Sequence, residues 1–369
     1  MQKRGINWHF IRSHILVFDA TLAILIFLIM SIGVVTLYSA GIDFPGRVED
    51  HIRNILVSFF IMWIMANIPP QTLMRFAIPI YSFGLALLIA VALFGLVKKG
   101  SRRWLHIGHD IQPSEMMKIV TPLMLAWYFQ KREGTLRWRD FVVAAFILGV
   151  PVALIAKQPD LGTAMLVVAA GFTVVFLAGL SWKFLASLII SAAIIIPTVV
   201  WPMMHDYQRD RVLTMLDPNR DPLGKGFHII QSTIAVGSGG MHGKGFLKGT
   251  QAHLEFIPEH TTDFIFAVYS EEFGFVGNLI LVTLYFLLII RCLMIAANAP
   301  TMFARLMAGA VTMIFFTYAF VNMGMVSGIV PVVGVPLPFM SYGGTALVTL
   351  GMGLGFMMSV QRNRKLVQT

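Results

Sequence analysis

The chain has 369 residues, of which 57% are hydrophobic and only 12% charged, with a mean hydropathy of +0.77. Soluble domains carry roughly 25% charged residues, so this composition excludes a water-soluble fold and points to an integral membrane protein. A net charge of +10 would suggest nucleic acid in a soluble protein, but basic residues flanking membrane spans account for it here, and no nucleic-acid partner is expected.

Taken in chain order, the basic start "MQKRGINWHFIRSH" precedes a long apolar run and reads as an anchor, not a removable signal peptide. A helix crosses hydrocarbon with about 20 apolar residues. Spans are predicted over 16–40, 52–68, 76–97, 113–129, 141–157, 161–180, 184–204, 263–290, 303–326 and 340–360. The expected fold is an all-α polytopic membrane protein, one membrane domain over 1–369. It has about ten transmembrane helices, with one long periplasmic loop, about 205–262, between helices 7 and 8. "KQPDLG" makes a tight hairpin of the fifth and sixth spans, and the last two are joined by a Pro/Gly-rich turn, "GIVPVVGVPLPF". The long loop holds an amphipathic stretch, "FHIIQSTIAVG"; a connection of that length is often functional. The single cysteine, Cys292, rules out an internal disulfide.

An even number of spans puts both termini on one side. With cytoplasmic termini, 14 lysines and arginines fall inside and 12 outside. That margin is small, and the even spread of inside charge over several short loops carries the orientation.

External basic charge gathers in two places. "KKGSRRW", 98–104, includes Arg102 and Arg103 and has no acid. Between Pro222 and Leu254 stand Lys225, Lys244 and Lys248, again without a carboxylate. Within that second stretch, "GSGGMHGKGFLKG" offers glycines that let backbone N–H groups approach a phosphate, and lysines that supply charge. Its spacing is not that of a Walker loop. The bland alternative is loop charge that is solvated or meets lipid headgroups.

The embedded charges say more. In "QPSEMMK", Pro113 suits a first helical turn, and Glu115 and Lys118 are i, i+3 partners able to pair. Lys157 and Asp160 are expected at the same outer level, and Asp263 opens the eighth span. Ionisable groups at that depth cost at least ~2.5–3.5 kcal/mol each and are functional candidates, the alternative being a structural ion-pair network. Glu271 and Glu272, two turns deeper, read as helix-packing groups, and Asn322, Ser341 and Tyr342 as packing or rim groups.

"QPSEMMK", "KQPDLGTA", "DPLGKGFHIIQSTIAVGSGGMHGKGFLKGTQ", "LEFIPEHTTDFIFAVYSEEFGFVG" and "PFMSYGGTAL" resemble the SEDS (shape, elongation, division, sporulation) family, most closely its rod-shape-determining branch in Gram-negative bacteria. The resemblance implies a peptidoglycan glycosyltransferase of the inner membrane. It would polymerise lipid II at the periplasmic face during elongation and release undecaprenyl pyrophosphate. Implied partners are a class B penicillin-binding protein transpeptidase, elongation-complex proteins and membrane lipid. The family's essential acid in "TTDF" falls on Asp263, its paired Glu and Lys on Glu115 and Lys118, and its "QPD" acid on Asp160. With Asp263 as base, partial desolvation beside "FIFAV" suits proton abstraction, and Arg102, Arg103, Lys225, Lys244 and Lys248 are candidates for the pyrophosphate. The sequence requires no cofactor; a divalent cation, Mg or Mn, bridging carboxylate and pyrophosphate stays open. A lipid II transporter would need charges along a path across the whole bilayer. A scaffold for the transpeptidase would leave Asp263 without a task.

Overall fold

A helix stands at each of the ten predicted positions in a computed structural model, described over residues 17–364 except 43, 99, 100, 108, 205, 222, 223, 225 and 251–258. The first seven are α1 (Ala20–Ala40), α2 (Arg47–Asn67), α3 (Ala77–Phe94), α4 (Pro113–Lys131), α5 (Trp138–Lys157), α6 (Leu161–Leu177) and α7 (Trp182–Ile195). The long connection holds α8 (Asp206–Leu216) and α9 (Phe227–Ser238). Then come α10 (Ile265–Ala297), α11 (Met302–Val326) and α12 (Gly344–Asn363). By length and composition, α1, α3, α5, α10, α11, α12 and the Trp182–Met203 segment opened by α7 suffice to cross a membrane. α6 is apolar but has 17 residues, and α2 and α4 carry charged residues.

Local chemistry sets the helix starts. Asp19, Asp160, Ser181 and Thr301 accept the orphan N–H groups that open α1, α6, α7 and α11. Pro113 occupies the first turn of α4. The charge-free run from Leu306 to Gln361 forms the centre of the bundle, where α11 and α12 are largely buried. α2 lies along α12, tied by Ser58 Oγ donating to Leu347 O at 2.7 Å. α7 buries none of its residues.

Two features depart from the sequence reading. The basic stretch after α3 is a small antiparallel sheet, β1 (Leu96–Lys98), β2 (Ser101–Ile107) and β3 (His109–Ile111), in that order. β1 and β3, three residues each, leave no periodicity to read. The proline- and glycine-rich segment between α11 and α12, residues 327–343, is not a simple turn, since it packs inward against the start of α10.

The glycine-rich stretch 239–250 also has another use than the one expected. α10 breaks at Gly274 (φ 65°, ψ −161°), a conformation essentially confined to glycine. A Cβ there would stand 2.3 Å from the nitrogen of Gly243. The loop fills this break. Lys244 and Gly245 N–H groups donate to the carbonyls of Glu271 and Glu272, and Phe275 and Val276 N–H groups donate back to Gly240 and Met241. Glu271, fully buried, accepts from Lys244 Nζ at 2.6 Å and from Thr250 N and Oγ1, each at 2.9 Å. Glu272 accepts from Ser39 Oγ of α1 and from Leu247 N. The glycines therefore permit backbone-to-backbone approach, and Lys244 compensates a buried carboxylate.

Losing one member of a buried pair costs about 3–5 kcal/mol when a charge is left uncompensated. Lys244→Met should lower the stability of the detergent-solubilised protein by about 3 kcal/mol on that basis. Glu271→Gln, which keeps an acceptor for Thr250, should cost about 1–2 kcal/mol. Denaturant titration measures both; wild-type stability in Lys244→Met would show that the pair does not hold the loop.

Candidate functional site

α4 brings the predicted Glu115–Lys118 pair inward. Lys118 is 1% exposed, and its Nζ donates to Glu115 Oε1 at 2.5 Å and to the Tyr318 hydroxyl of α11. Tyr318 in turn donates to Glu115 Oε2 at 3.4 Å. The three groups form a closed circuit in which each donor has an acceptor. Asp160 caps α6 through Thr163 N at 3.2 Å and accepts from Gln112 Nε2 at 2.8 Å and Ser114 Oγ at 3.4 Å. It thereby ties the start of α6 to the start of α4. Arg103 reaches it from β2 at 3.7 Å and donates to Pro159 O.

One turn along α11 from Tyr318, the Asn322 amide donates to Asp263 O at 2.8 Å and to Val335 O at 2.7 Å. Ser341 Oγ donates to Thr262 O at 2.6 Å, and Tyr342 N to Thr261 O at 3.0 Å. Arg47, at the start of α2, donates to Thr261 Oγ1 at 2.5 Å while its guanidinium covers the Phe44 ring at 3.9 Å. The "TTD" backbone is thus fixed from α11 and from the 327–343 segment, and α2 adds a contact to the Thr261 side chain. Gly334 (φ 73°) lies against the Asp263 carboxylate, where a Cβ would stand 3.2 Å from Oδ2. The next residue, Phe264, is buried and stacks on the His228 ring of α9 at 6.0 Å between centroids.

Two hollows adjoin this segment. A cavity of about 620 Å³ includes Asp210, Arg211, Thr214, Asp221, His228 and Val332 in its walls. An apolar groove of about 720 Å³ runs between α6, α7, α10 and α11, past Phe176, Trp182, Phe286, Phe316, Phe320 and Met323. Met323 adjoins Asn322, so the groove ends at the level of the Asp263 anchor.

Glu115, Lys118, Asp160 and Asp263 are therefore gathered around one end of α4, α6 and α11. Lys157 is not among them, since its side chain is exposed at the end of α5. Lys244 is committed to Glu271, and Lys248 is exposed. Arg102 lies in β2 with its side chain outside the described residues, and Lys225 lies outside them altogether. Sequence reasoning missed Arg47, Gln112, Ser114, His228 and Tyr318. A phenol in the charge-free run of α11 was the one available signal. Asn322, Ser341 and Tyr342, read as packing or rim groups, anchor the backbone carbonyls of Asp263, Thr262 and Thr261 in turn.

A family model for FtsW/RodA/SpoVE, described as cell cycle protein, matches residues 19–366. The chain belongs to the FtsW/RodA/SpoVE family. It is 47% identical over 350 residues to the peptidoglycan glycosyltransferase MrdB of Escherichia coli K12, covering 95% of each chain. It is 32% identical over 358 residues to stage V sporulation protein E of Bacillus subtilis 168, covering 93% of this chain and 97% of that one. Among solved structures it matches a chain of a peptidoglycan synthase complex, described as structurally coordinating polymerization and crosslinking, with a TM-score of 0.83 at 35% identity over 95% of this chain and 99% of that one. It also matches the rod shape determining protein RodA of Thermus thermophilus, with a TM-score of 0.71 at 28% identity over 95% and 98%. The SEDS resemblance and the multi-pass membrane fold both stand on these matches, and every site residue named above lies within the FtsW/RodA/SpoVE match.

The closed Glu115–Lys118–Tyr318 circuit predicts energetic coupling. In a double-mutant cycle on glycan polymerisation rates, Glu115→Gln and Lys118→Met should each reduce the rate. The double variant should be only slightly worse than either single, a coupling of about 1–3 kcal/mol. Strictly additive losses would show that the two side chains act separately.

Proposed function

We propose that this chain is a peptidoglycan glycosyltransferase that polymerises lipid II into glycan strands during elongation and releases undecaprenyl pyrophosphate. The observation that carries the reading is Asp263. Its carbonyl accepts from Asn322, the carbonyls of Thr262 and Thr261 before it accept from Ser341 and Tyr342, its carboxylate lies against a glycine, and the next residue, Phe264, stacks on His228 in the wall of a cavity. The 47% identity to a peptidoglycan glycosyltransferase supports it. The groove suits the polyprenyl tail, which must stay in an apolar medium while the headgroup reacts.

In the reaction, Asp263 takes the proton of the acceptor glucosamine 4-hydroxyl. The oxygen attacks the anomeric carbon of the donor muramyl unit, and the bond from that carbon to the pyrophosphate oxygen breaks. A positioned base contributes typically 10²–10⁴-fold. The departing diphosphate needs positive charge. Arg103 and Lys248 are the assigned candidates among the described side chains, with Lys244 withdrawn to Glu271. Among the described residues no three His, Cys, Asp or Glu gather to hold a metal ion. A divalent cation, Mg or Mn, would rest on Asp263 and the diphosphate itself, and no step here is routed through it.

The reading places ten spans in the bacterial inner membrane, both termini in the cytoplasm and Asp263 at the periplasmic face. The partner is a class B penicillin-binding protein within the elongation complex, in keeping with the match to a chain of a peptidoglycan synthase complex. Transport is the weaker reading because Glu115, Lys118, Asp160 and Asp263 gather at one end of the bundle. The Arg291–Asp19 pair lies farther along α10, at the foot of α1, and α11 and α12 carry no charge from Leu306 to Gln361 to continue a path.

Asp263→Asn should abolish ladder formation from fluorescent lipid II, a loss of ~10²–10⁴-fold, with unchanged thermal stability and retained binding of the transpeptidase. Asn keeps the shape but cannot act as a base. Ladders at the wild-type rate would remove Asp263 from the chemistry, and a collapsed melting temperature would make it a structural residue.

A further inference from the structure

Asn322 of α11 is fully buried, and its Nδ2 joins two segments of the chain. One N–H donates to Asp263 O at 2.8 Å and the other to Val335 O at 2.7 Å. Among side chains of this size only a primary amide supplies two donors from one atom; a hydroxyl has one, and a carboxylate or an aliphatic group has none. The Oδ1 atom of the same amide is buried and has no hydrogen-bond partner among the described residues. A buried acceptor in that state is uncommon and costs stability. A leucine would fill the same space without an orphaned atom, so packing alone does not account for an amide here. The double donation does.

The two carbonyls flank the Asp263 carboxylate. One belongs to Asp263 itself. The other belongs to the residue after Gly334, whose Cβ, if it had one, would stand 3.2 Å from Asp263 Oδ2. On its other side the same strip of backbone meets the start of α6. A Cβ on Gly162, two residues after Asp160, would stand 2.9 Å from Val333 O and 3.4 Å from Val335 Cγ2. Residues 333–335 are thus wedged between Gly162 and the carboxylate, and Asn322 ties them to the Asp263 backbone. We propose that Asn322 is a positioning residue for the base: by bridging Asp263 and Val335 it fixes how far the carboxylate stands from the 333–335 backbone, and so where it meets the hydroxyl proton. This rests on the glycosyltransferase reading and adds to it the residue that orients its base. Asn322 acts through backbone, so its loss falls on turnover and not on substrate binding.

The test separates kcat from KM with fluorescent lipid II, with the melting temperature of the detergent-solubilised protein read on the same preparations. Asn322→Leu keeps the volume and deletes both donors. It should lower kcat about 10²-fold, the cost of an ångström-scale misplacement, with KM within about threefold of wild type. Gly162→Ala leaves Asn322 and its two bonds in place and presses on residues 333–335 from α6, where the nearest atom is a backbone carbonyl that cannot turn aside. It should lower kcat in the same pattern, by about tenfold. If Asn322→Leu fails to fold, Gly162→Ala decides. Wild-type kcat in the deciding variant overturns the positioning role and leaves the glycosyltransferase reading standing. A rise in KM that matches or exceeds the fall in kcat also overturns it and makes Asn322 a support for substrate binding. Failure of both variants to fold overturns it too and makes Asn322 a residue of the fold. A wild-type preparation that makes no ladders overturns the glycosyltransferase reading, and the positioning role with it.

Discussion

Glu271 is fully buried, and a carboxylate in that position is tolerated only if a cation and donors meet it. Lys244 meets it at 2.6 Å. That contact, with the backbone bonds around the Gly274 break, fixes the 239–250 loop on α10. α9 runs into this loop, and the chain that leaves it returns to Asp263. The position of α9 is therefore coupled to this ion pair and to the backbone bonds around it. A helix kink that would otherwise expose carbonyls to the bundle is satisfied by the same loop, so the break and the loop stabilise each other.

α11 performs the second integration. Its charge-free surface packs in the centre, yet Tyr318 and Asn322, one turn apart, present polar groups to α4 and to the segment before α10. Tyr318 completes the Glu115–Lys118 circuit, and Asn322 holds the Asp263 backbone. A small displacement of α11 would be felt by both, because packed helices shift as units. The buried pair is thereby connected to the Asp263 backbone through one helix.

Much of this was legible in the sequence. Spans follow from apolar length, the Glu115–Lys118 pair from i, i+3 spacing, the α5–α6 hairpin from "KQPDLG", and α9 from its amphipathic pattern. The glycine-rich stretch was misjudged because glycine spacing records only that backbone approaches something closely. Whether that something is a phosphate or another helix depends on tertiary contact, and here it is the broken α10. Arg47 and His228 had no local signal, since their partners, Thr261 and Phe264, are distant in the chain.

Under the proposed chemistry, the position of Lys244 narrows which residues would meet a departing diphosphate. Asp160 already receives three hydrogen bonds, from Gln112, Ser114 and Thr163, so its charge is compensated without Arg103. The Arg103 contact is long, 3.7 Å, and its Nε is buried with no partner among the described residues. Detaching that guanidinium toward a diphosphate would leave Asp160 hydrogen-bonded and would give an unused donor an acceptor. Detaching Lys244 would strip the compensating cation from a fully buried carboxylate and loosen the loop that positions α9. The two basic residues look alike in the sequence, but their contacts separate them: Lys244 pairs at 2.6 Å with a fully buried carboxylate, whereas Arg103 stands 3.7 Å from a carboxylate that is hydrogen-bonded without it.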